Sequence, residues 1–327
     1  MQNRDTRRSG EYGYTAQALG ISSPGFSLLR DLVAERTGVF FDDAKADLLA
    51  DKLSGLVAEL GMTSLMDYYY VLKYDTDADR HWADVLDRLA VPETYFWRQP
   101  EHFDVLTRVI VPRFFAQHPG RTLRIWSAAC CSGEEPISIA IALAEAGWLG
   151  THSIEIVASD ASQAMIRRAR RGLYGERAFR ALPQHLRDRY FRLEDAGWRA
   201  RACVHKPVQW TTANLMNAAE VTTLAKSDVI FCRNVFIYFS DDAIRQTARL
   251  FSEHMPRGGY LFLGASESLS RFGSDFNLVE LGGAFVYGNG TDAPAPVRPN
   301  LEIERPTPWR PDSPGAPRSA SRPPSVP

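Results

Sequence analysis

Apolar and polar positions follow two different rhythms along the chain, and the change falls near residue 120. In FSLLRDLVAERTG and DAKADLLADKLSGLVAELG the apolar side chains recur at three- and four-residue intervals, and Gly38 and Gly61 stand where each helix would end. TSLMDYYYVLK predicts a third helix, with Thr63 or Ser64 as its cap and Asp67 in its first turn. ADRHWADVLDRLA predicts a fourth. Residues 22–90 therefore read as a small all-α domain, preceded by a flexible segment at 1–21.

Beyond residue 120 short β-branched runs alternate with helices. LRIWSAA, IEIVASD, SDVIFCRN and GYLFLGA predict strands, and PISIAIALAEAG, ASQAMIRRARRG and DDAIRQTARLFSEHM predict helices between them. FNLVELGGAFVYG predicts a hairpin turning at Gly282 and Gly283. This alternation implies an α/β domain over 91–288, a mainly parallel, Rossmann-like sheet covered on both faces. Residues 175–212 break the pattern: LPQHLRDRYFRL reads as a helix, and WRARACV and PVQWTTA as short strands of a small insertion at the sheet's edge. After residue 288 the composition shifts, with 11 of the 20 prolines in the last 39 residues. The tail 289–327 is too poor in apolar residues to fold and is expected to be disordered.

Composition then narrows the class. No apolar run reaches the ~18 residues of a membrane span, and no secretory signal leads the chain, so a cytoplasmic protein without membrane insertion is expected. The four cysteines, Cys130, Cys131, Cys203 and Cys232, have neither disulfide-framework nor zinc-ligand spacing, and the seven histidines are scattered; no metal is expected. Adjacent Cys130 and Cys131 read as small residues packing a tight turn. Trp97, Trp126 and Tyr68 to Tyr70 read as core. A net charge of -1 hides an asymmetry: residues 21–90 hold 13 acidic and 7 basic side chains, residues 161–210 hold 4 acidic and 12 basic. Such a basic region attracts an acidic partner. Nucleic acid is not expected, because no motif for a flipped base nitrogen is present and the basic run lacks interleaved aromatics.

The chemistry centres on LRIWSAACCSGEEPISIAIAL, a strand, a small-residue turn and a helix. Ser132 followed by Glu135 has the form of a capping box, and Pro136 sits in the first turn, where a missing N–H costs nothing. A helix start at the carboxyl end of a first strand is where α/β sheets bind nucleotides. Pyrophosphate would call for GxGxxG. Here only Gly133 is present, and Glu134 and Glu135 would repel phosphate. Carboxylates suit a positively charged ligand such as the amino group of a methionine moiety, and Asp160, ending the second strand, suits ribose hydroxyls. Together these features point to S-adenosylmethionine.

SAACCSGEEPISIAIAL, VPETYFWRQPEHF, ASDASQAMIRRARRGLYG and IFCRNVFIYF, in this order, resemble the CheR-type chemotaxis receptor methyltransferases, over about residues 25 to 287. The resemblance implies a class I S-adenosylmethionine-dependent methyltransferase fold with a small all-α N-terminal domain and an inserted β-subdomain. It implies methylation of glutamate carboxylates on the cytoplasmic methylation helices of chemoreceptors, by a protein that acts as a monomer. Carried over by residue, Thr94 and Arg98 lie by the cofactor, with Arg98 near the reacting centre. Ala128 lies beside it, and either Glu134 or Glu135 contacts it. Asp160 holds the ribose, Asn214 and Leu215 flank the adenine, and Arg233 and Asn234 close the pocket beside Tyr238. Arg98 and Tyr238 would orient the incoming carboxylate; taken without the resemblance, Arg98 reads as an ion-pair partner of Glu93 or Glu101. Three departures stand out. Pro92 replaces a frequent Asn, LEDAGWRAR lacks the glycine-rich loop that docks a receptor's tail pentapeptide, so no such docking is expected, and the usually basic second helix is acidic. A non-catalytic scaffold that senses S-adenosylmethionine or a nucleotide in a chemosensory pathway is the alternative function.

Overall fold

The computed structural model describes residues 19–290. The flexible segment and the disordered tail expected at the two ends lie outside these residues except at their inner edges. There Leu19 and Ile21 are buried in the helical core, so that domain starts before residue 22. Four helices form it: α1 (Ser23–Thr37), α2 (Ala46–Glu59) after a 3-10 turn at Asp43–Lys45, α3 (Leu65–Tyr74) and α4 (Ala78–Leu89). Ser22 caps α1 by accepting from the Gly25 N–H, and Ser64 caps α3 by accepting from the Met66 N–H. Leu29, Val33, Leu49, Leu53, Tyr68 and Val85 interlock as a fully enclosed core. Tyr70, expected there, is 55% exposed. Residues two positions apart on a helix are rotated by about 200°, so Tyr68 and Tyr70 cannot share a face.

The second domain opens with α5 (Pro100–Val105), a π-helical stretch at Leu106–Ile110 and α6 (Val111–Gln117). There follow β1 (Leu123–Ala128), α7 (Glu134–Glu145), β2 (Ile154–Asp160), α8 (Gln163–Arg171), β3 (Leu173–Tyr174), α9 (Gln184–Tyr190), β4 (Phe191–Glu194) and β5 (Gly197–Ala200). The chain closes with α10 (Ala202–His205), β6 (Val208–Thr212), α11 (Ala218–Leu224), β7 (Val229–Phe231), α12 (Asp241–His254), β8 (Tyr260–Phe262) and the hairpin β9 (Phe276–Leu281) and β10 (Ala284–Asn289). The seven-stranded sheet has the order β6-β2-β1-β7-β8-β10-β9, with β6, β2, β1, β7 and β8 parallel and β10 antiparallel to its neighbours. Alternate residues of β1 serve opposite cores: Leu123 and Ile125 pack with α7, Trp126 and Ala128 with α11 and α12. Chain order reverses on either side of β1, which makes the crevice beyond β1, β2 and β7 the topological switch point where α/β sheets hold ligands.

The insertion is smaller than its sequence implied. Its sheet has three antiparallel strands in the order β3-β5-β4. PVQWTTA, expected within it, is instead β6, parallel to β2 at the edge of the main sheet, and ACV of WRARACV lies in α10. No helix among the described residues is long and apolar enough to cross a membrane.

The two domains are stitched beside the switch point. Gly38, which ends α1 at φ 79°, lies so close to Phe239 that a Cβ would sit 2.8 Å from its ring. Only glycine meets both demands. The Phe40 N–H donates to the Tyr238 carbonyl and the Ser240 N–H to the Gly38 carbonyl (both 2.9 Å). The Asn214 amide donates to the Arg36 carbonyl (2.7 Å). From α4, Asp87 accepts from Ser162 Oγ (2.6 Å) and the Ala164 N–H (3.0 Å), so a carboxylate of one domain caps the helix α8 of the other.

Candidate active site

Between β1 and α7 the backbone takes three left-handed residues in five, Ala129 (φ 52°), Cys131 (φ 53°) and Gly133 (φ 96°). Trp210 lies 2.8 Å from where a Cβ on Gly133 would stand, so that position admits only glycine. The turn is held from β2: the Cys131 N–H donates to Asp160 Oδ2 (2.8 Å) and the Ser162 N–H to Asp160 Oδ1 (2.9 Å). Asp160 also lines a cavity, and each of its oxygens keeps acceptor capacity beyond these bonds. Helix α7 starts one residue later than a Ser132 cap requires, with Gly133 as N-cap. The expected capping box therefore does not form, and Ser132 Oγ donates to the Glu134 carboxylate instead (2.8 and 3.1 Å).

Glu134 and Glu135 part company at this point. Glu134 is buried toward Arg168 and Arg180, in a cavity on the insertion side. Glu135 turns to the switch point, where it accepts from Ser127 Oγ (2.7 Å) and pairs with Arg233 Nη1 (3.3 Å). Burial pushes the Glu135 carboxyl above its ordinary value, and the Arg233 guanidinium opposes the rise. The Arg233 side chain, 1% exposed, also donates to the Arg98 carbonyl (2.5 Å) and to Gln99 Oε1 (2.7 Å). It clamps the 97–99 segment, where Trp97 and Gln99 both have positive φ. Arg98 donates to the Glu93 carbonyl (3.3 Å) and lies 5.3 Å from the Tyr95 ring, while the Glu93 carboxylate is engaged by Arg180.

Two cavities meet here. A small one of about 70 Å³ is lined by Thr94, Arg98, Glu135, Arg233 and Asn234. A wider one of about 360 Å³ lies between the domains, lined by Asp160, Met165, Asn214, Leu215, Asn234 and Tyr238, and by Val39, Phe41, Leu48 and Leu89 of the helical domain. Val91, Ala129, Cys131 and Asn234 line both and form the waist between them. Arg98 and Tyr238 thus flank the waist from different lobes. Ala128 does not line either; it is buried at the end of β1, and Ala129 faces the cleft in its place. Lys45, Leu48 and Lys52 share one face of α2 and its lead-in turn and line the wider lobe, so the acidic second helix presents its basic residues to the site.

Asn234 (φ 62°) stands three residues beyond β7 and starts the turn carrying Tyr238; IFCRNVFIYF is strand only as far as Phe231. Sequence reasoning missed what holds this turn. The Glu267 carboxylate accepts the N–H groups of Asn234, Val235 and Phe236 (each 2.7 Å) and of Gly264 (2.6 Å). A Cβ on Gly264 would stand 2.6 Å from Asn234 Nδ2, so Asn234 lies directly over that glycine. The signal available was GASES, a carboxylate three residues after a glycine that lies just past β8, with nothing to tie it to residues thirty positions away.

The fit to S-adenosylmethionine is chemical. Glu135 offers a carboxylate to an ammonium, Arg98 a guanidinium to a carboxylate, Asp160 acceptor oxygens to ribose hydroxyls, and Leu215 and Met165 apolar surface to a base. A mainly parallel sheet with this donor set at its switch point defines a class I methyltransferase. The chain belongs to the CheR methyltransferase family: residues 92–284 match the CheR methyltransferase SAM binding domain and residues 24–90 the CheR methyltransferase all-alpha domain. Its cofactor is S-adenosylmethionine. Among its relatives is chemotaxis protein methyltransferase 2 of Vibrio cholerae, 35% identical over 261 residues that cover 79% of this chain and 90% of that one. Chemotaxis protein methyltransferase 1 of Pseudomonas aeruginosa is 31% identical over 276 residues, 82% and 99% of the two chains. The probable biofilm formation methyltransferase WspC of the same organism is 33% identical over 235 residues, 68% and 55%.

Proposed function

We propose that this methyltransferase acts in the cytoplasm on glutamate side chains in the methylation helices of chemoreceptors and forms glutamate methyl esters. The observation that carries the reading is the lining of the cleft: Thr94 and Arg98 line the smaller cavity, the donor lobe, Tyr238 lines the wider lobe, and among the described residues no histidine lines either. A glutamate with a pKa of ~4.3 is already ionised at neutral pH, so its methylation needs orientation and exclusion of water and needs no general base. When bound, the cofactor supplies an electrophilic methyl group on a sulfonium.

The residues then divide the work. Glu135 holds the donor's ammonium, Arg98 with Thr94 its carboxylate end, Asp160 the ribose, and Leu215 with Asn214 the adenine. Arg233 keeps Glu135 and the 97–99 segment in register. Asn234 forms the waist, and Tyr238 with Arg98 orients the incoming carboxylate from the two sides. Transfer from sulfonium to carboxylate cancels charge, so the apolar wall given by Val39, Phe41 and Leu89 favours it by keeping the local dielectric low. Incubation with radiolabelled cofactor and membranes carrying the cell's chemoreceptors is the test. Base-labile counts that volatilise as methanol are expected in the receptor band. Base-stable counts, or none, would remove the glutamate ester from consideration.

A further inference from the structure

A third cavity, of about 290 Å³, adjoins the donor lobe and shares Glu93 and Thr94 with it. Three arginines line it, Arg168 from α8 and Arg177 and Arg180 from the turn that opens the insertion. Arg180 is held in place: it pairs with Glu93 (2.8 Å) and lies 3.7 Å from the Tyr95 ring centroid. Among the described residues, neither Arg168 nor Arg177 has an ion-pair partner within 4.0 Å. The carboxylate beneath them, Glu134, is committed to the Ser132 hydroxyl, and burial favours its neutral form. The cavity is therefore electropositive, and its three arginines belong to residues 161–210, which hold 12 basic and 4 acidic side chains.

Its position relative to the donor lobe narrows the ligand. Val91 lines the waist, Pro92 the third cavity, and Glu93 and Thr94 both the third cavity and the donor lobe. These four residues span at most about 10 Å of chain. On a helix, carboxylates four or seven residues apart are separated by roughly 6 or 10 Å along the axis. Guanidinium forks match carboxylates in geometry as well as charge. We propose that this arginine-lined cavity is an acceptor subsite that receives a second carboxylate of the methylated helix, one or two turns from the glutamate that reacts.

The inference rests on the glutamate reading above, and the test separates the two. Methylation kinetics would be measured with the soluble cytoplasmic fragment of a chemoreceptor from the same cell, for the wild type and an Arg168→Ala/Arg177→Ala double variant. The double variant is expected to raise KM for the fragment roughly three- to tenfold and to flatten its dependence on salt, with kcat and the affinity for S-adenosylhomocysteine within about twofold of wild type. Changing to glutamine the acidic residues four and seven positions from a methylated glutamate should raise KM alike, and combining both changes should add little further. An unchanged KM and salt dependence in an active double variant would overturn the subsite. So would a loss of S-adenosylhomocysteine affinity equal to the rise in KM, which would assign the arginines to the donor site. A wild type that methylates no fragment would bring down the glutamate reading itself.

Discussion

The two lobes of the cleft are built on opposite principles. The donor lobe is small and charged, and apart from Arg233 and Asn234 it comes from two short stretches, 91–103 and 129–135. Its strain is local: Trp97, Gln99, Ala129, Cys131 and Asn234, all the described non-glycine residues with positive φ, sit in or beside it. The wider lobe is mostly apolar, and its walls come from both domains, residues 37–52 and 86–91 on one side and 129–239 on the other. The first lobe can bind its end of a ligand by charge alone. The second exists only while the helical domain stays seated, through Asp87, Arg36 and the Gly38 to Phe40 strap. The contrast separates chemistry, which one domain carries, from enclosure, which takes two.

If that division holds, the largest effect belongs to the donor lobe. Arg98→Ala should lower kcat by about 10² to 10³ with the fold intact by circular dichroism, whereas Tyr238→Phe, on the opposite lobe, should lose about tenfold or less. Equal losses in steady-state assays would erase the distinction. Next comes Glu267→Ala, which strips one acceptor from four backbone N–H groups. A fall of about 10- to 100-fold in kcat is expected, together with a lower melting temperature, because each unsatisfied buried donor costs about 1–3 kcal/mol. Full turnover in this variant would show that the Asn234 turn holds itself.

Smaller effects test the seam. Asp87→Ala removes a helix cap and an interdomain contact and should cost about 1–2 kcal/mol in denaturant titrations while weakening S-adenosylhomocysteine binding a few-fold. A stability loss with unchanged affinity would mean that the wider lobe does not depend on the seam. The pH dependence sharpens the donor side. In the proposed site only an ionised Glu135 could hold the donor's ammonium, and burial raises its pKa above the ordinary value of ~4.3. Affinity is therefore full above the raised value and declines as pH falls through it, with protons released on binding in that window. Calorimetry across pH should place the decline at a higher pH than an unperturbed glutamate would give.

Local pattern carried much of this and failed in identifiable places. The four helices, β1, β2 and the hairpin follow from periodicity, and the motifs bring Thr94, Arg98, Glu135, Asp160, Leu215, Asn234 and Tyr238 to one cleft. PVQWTTA was misplaced because a strand's partner is not encoded in its own alternation; its pairing with β2 is a tertiary fact. Ser132 has the residue type of a helix cap, but the left-handed run before Gly133 delays the helix by one position. The same delay decides between Glu134 and Glu135, which lie on different faces of α7 about 100° apart. Glu267 and Asp87 were invisible because each acts across 31 to 77 residues of sequence through backbone or hydroxyl groups.

The central claim is that Glu135, not Glu134, grips the donor. Isothermal calorimetry of S-adenosylhomocysteine binding to Glu135→Gln and Glu134→Gln tests it directly. The first variant is expected to lose about tenfold or more in affinity and the second to stay within about threefold of wild type. The reverse order, or equal losses, would contradict the assignment and with it the two-lobed account of the site.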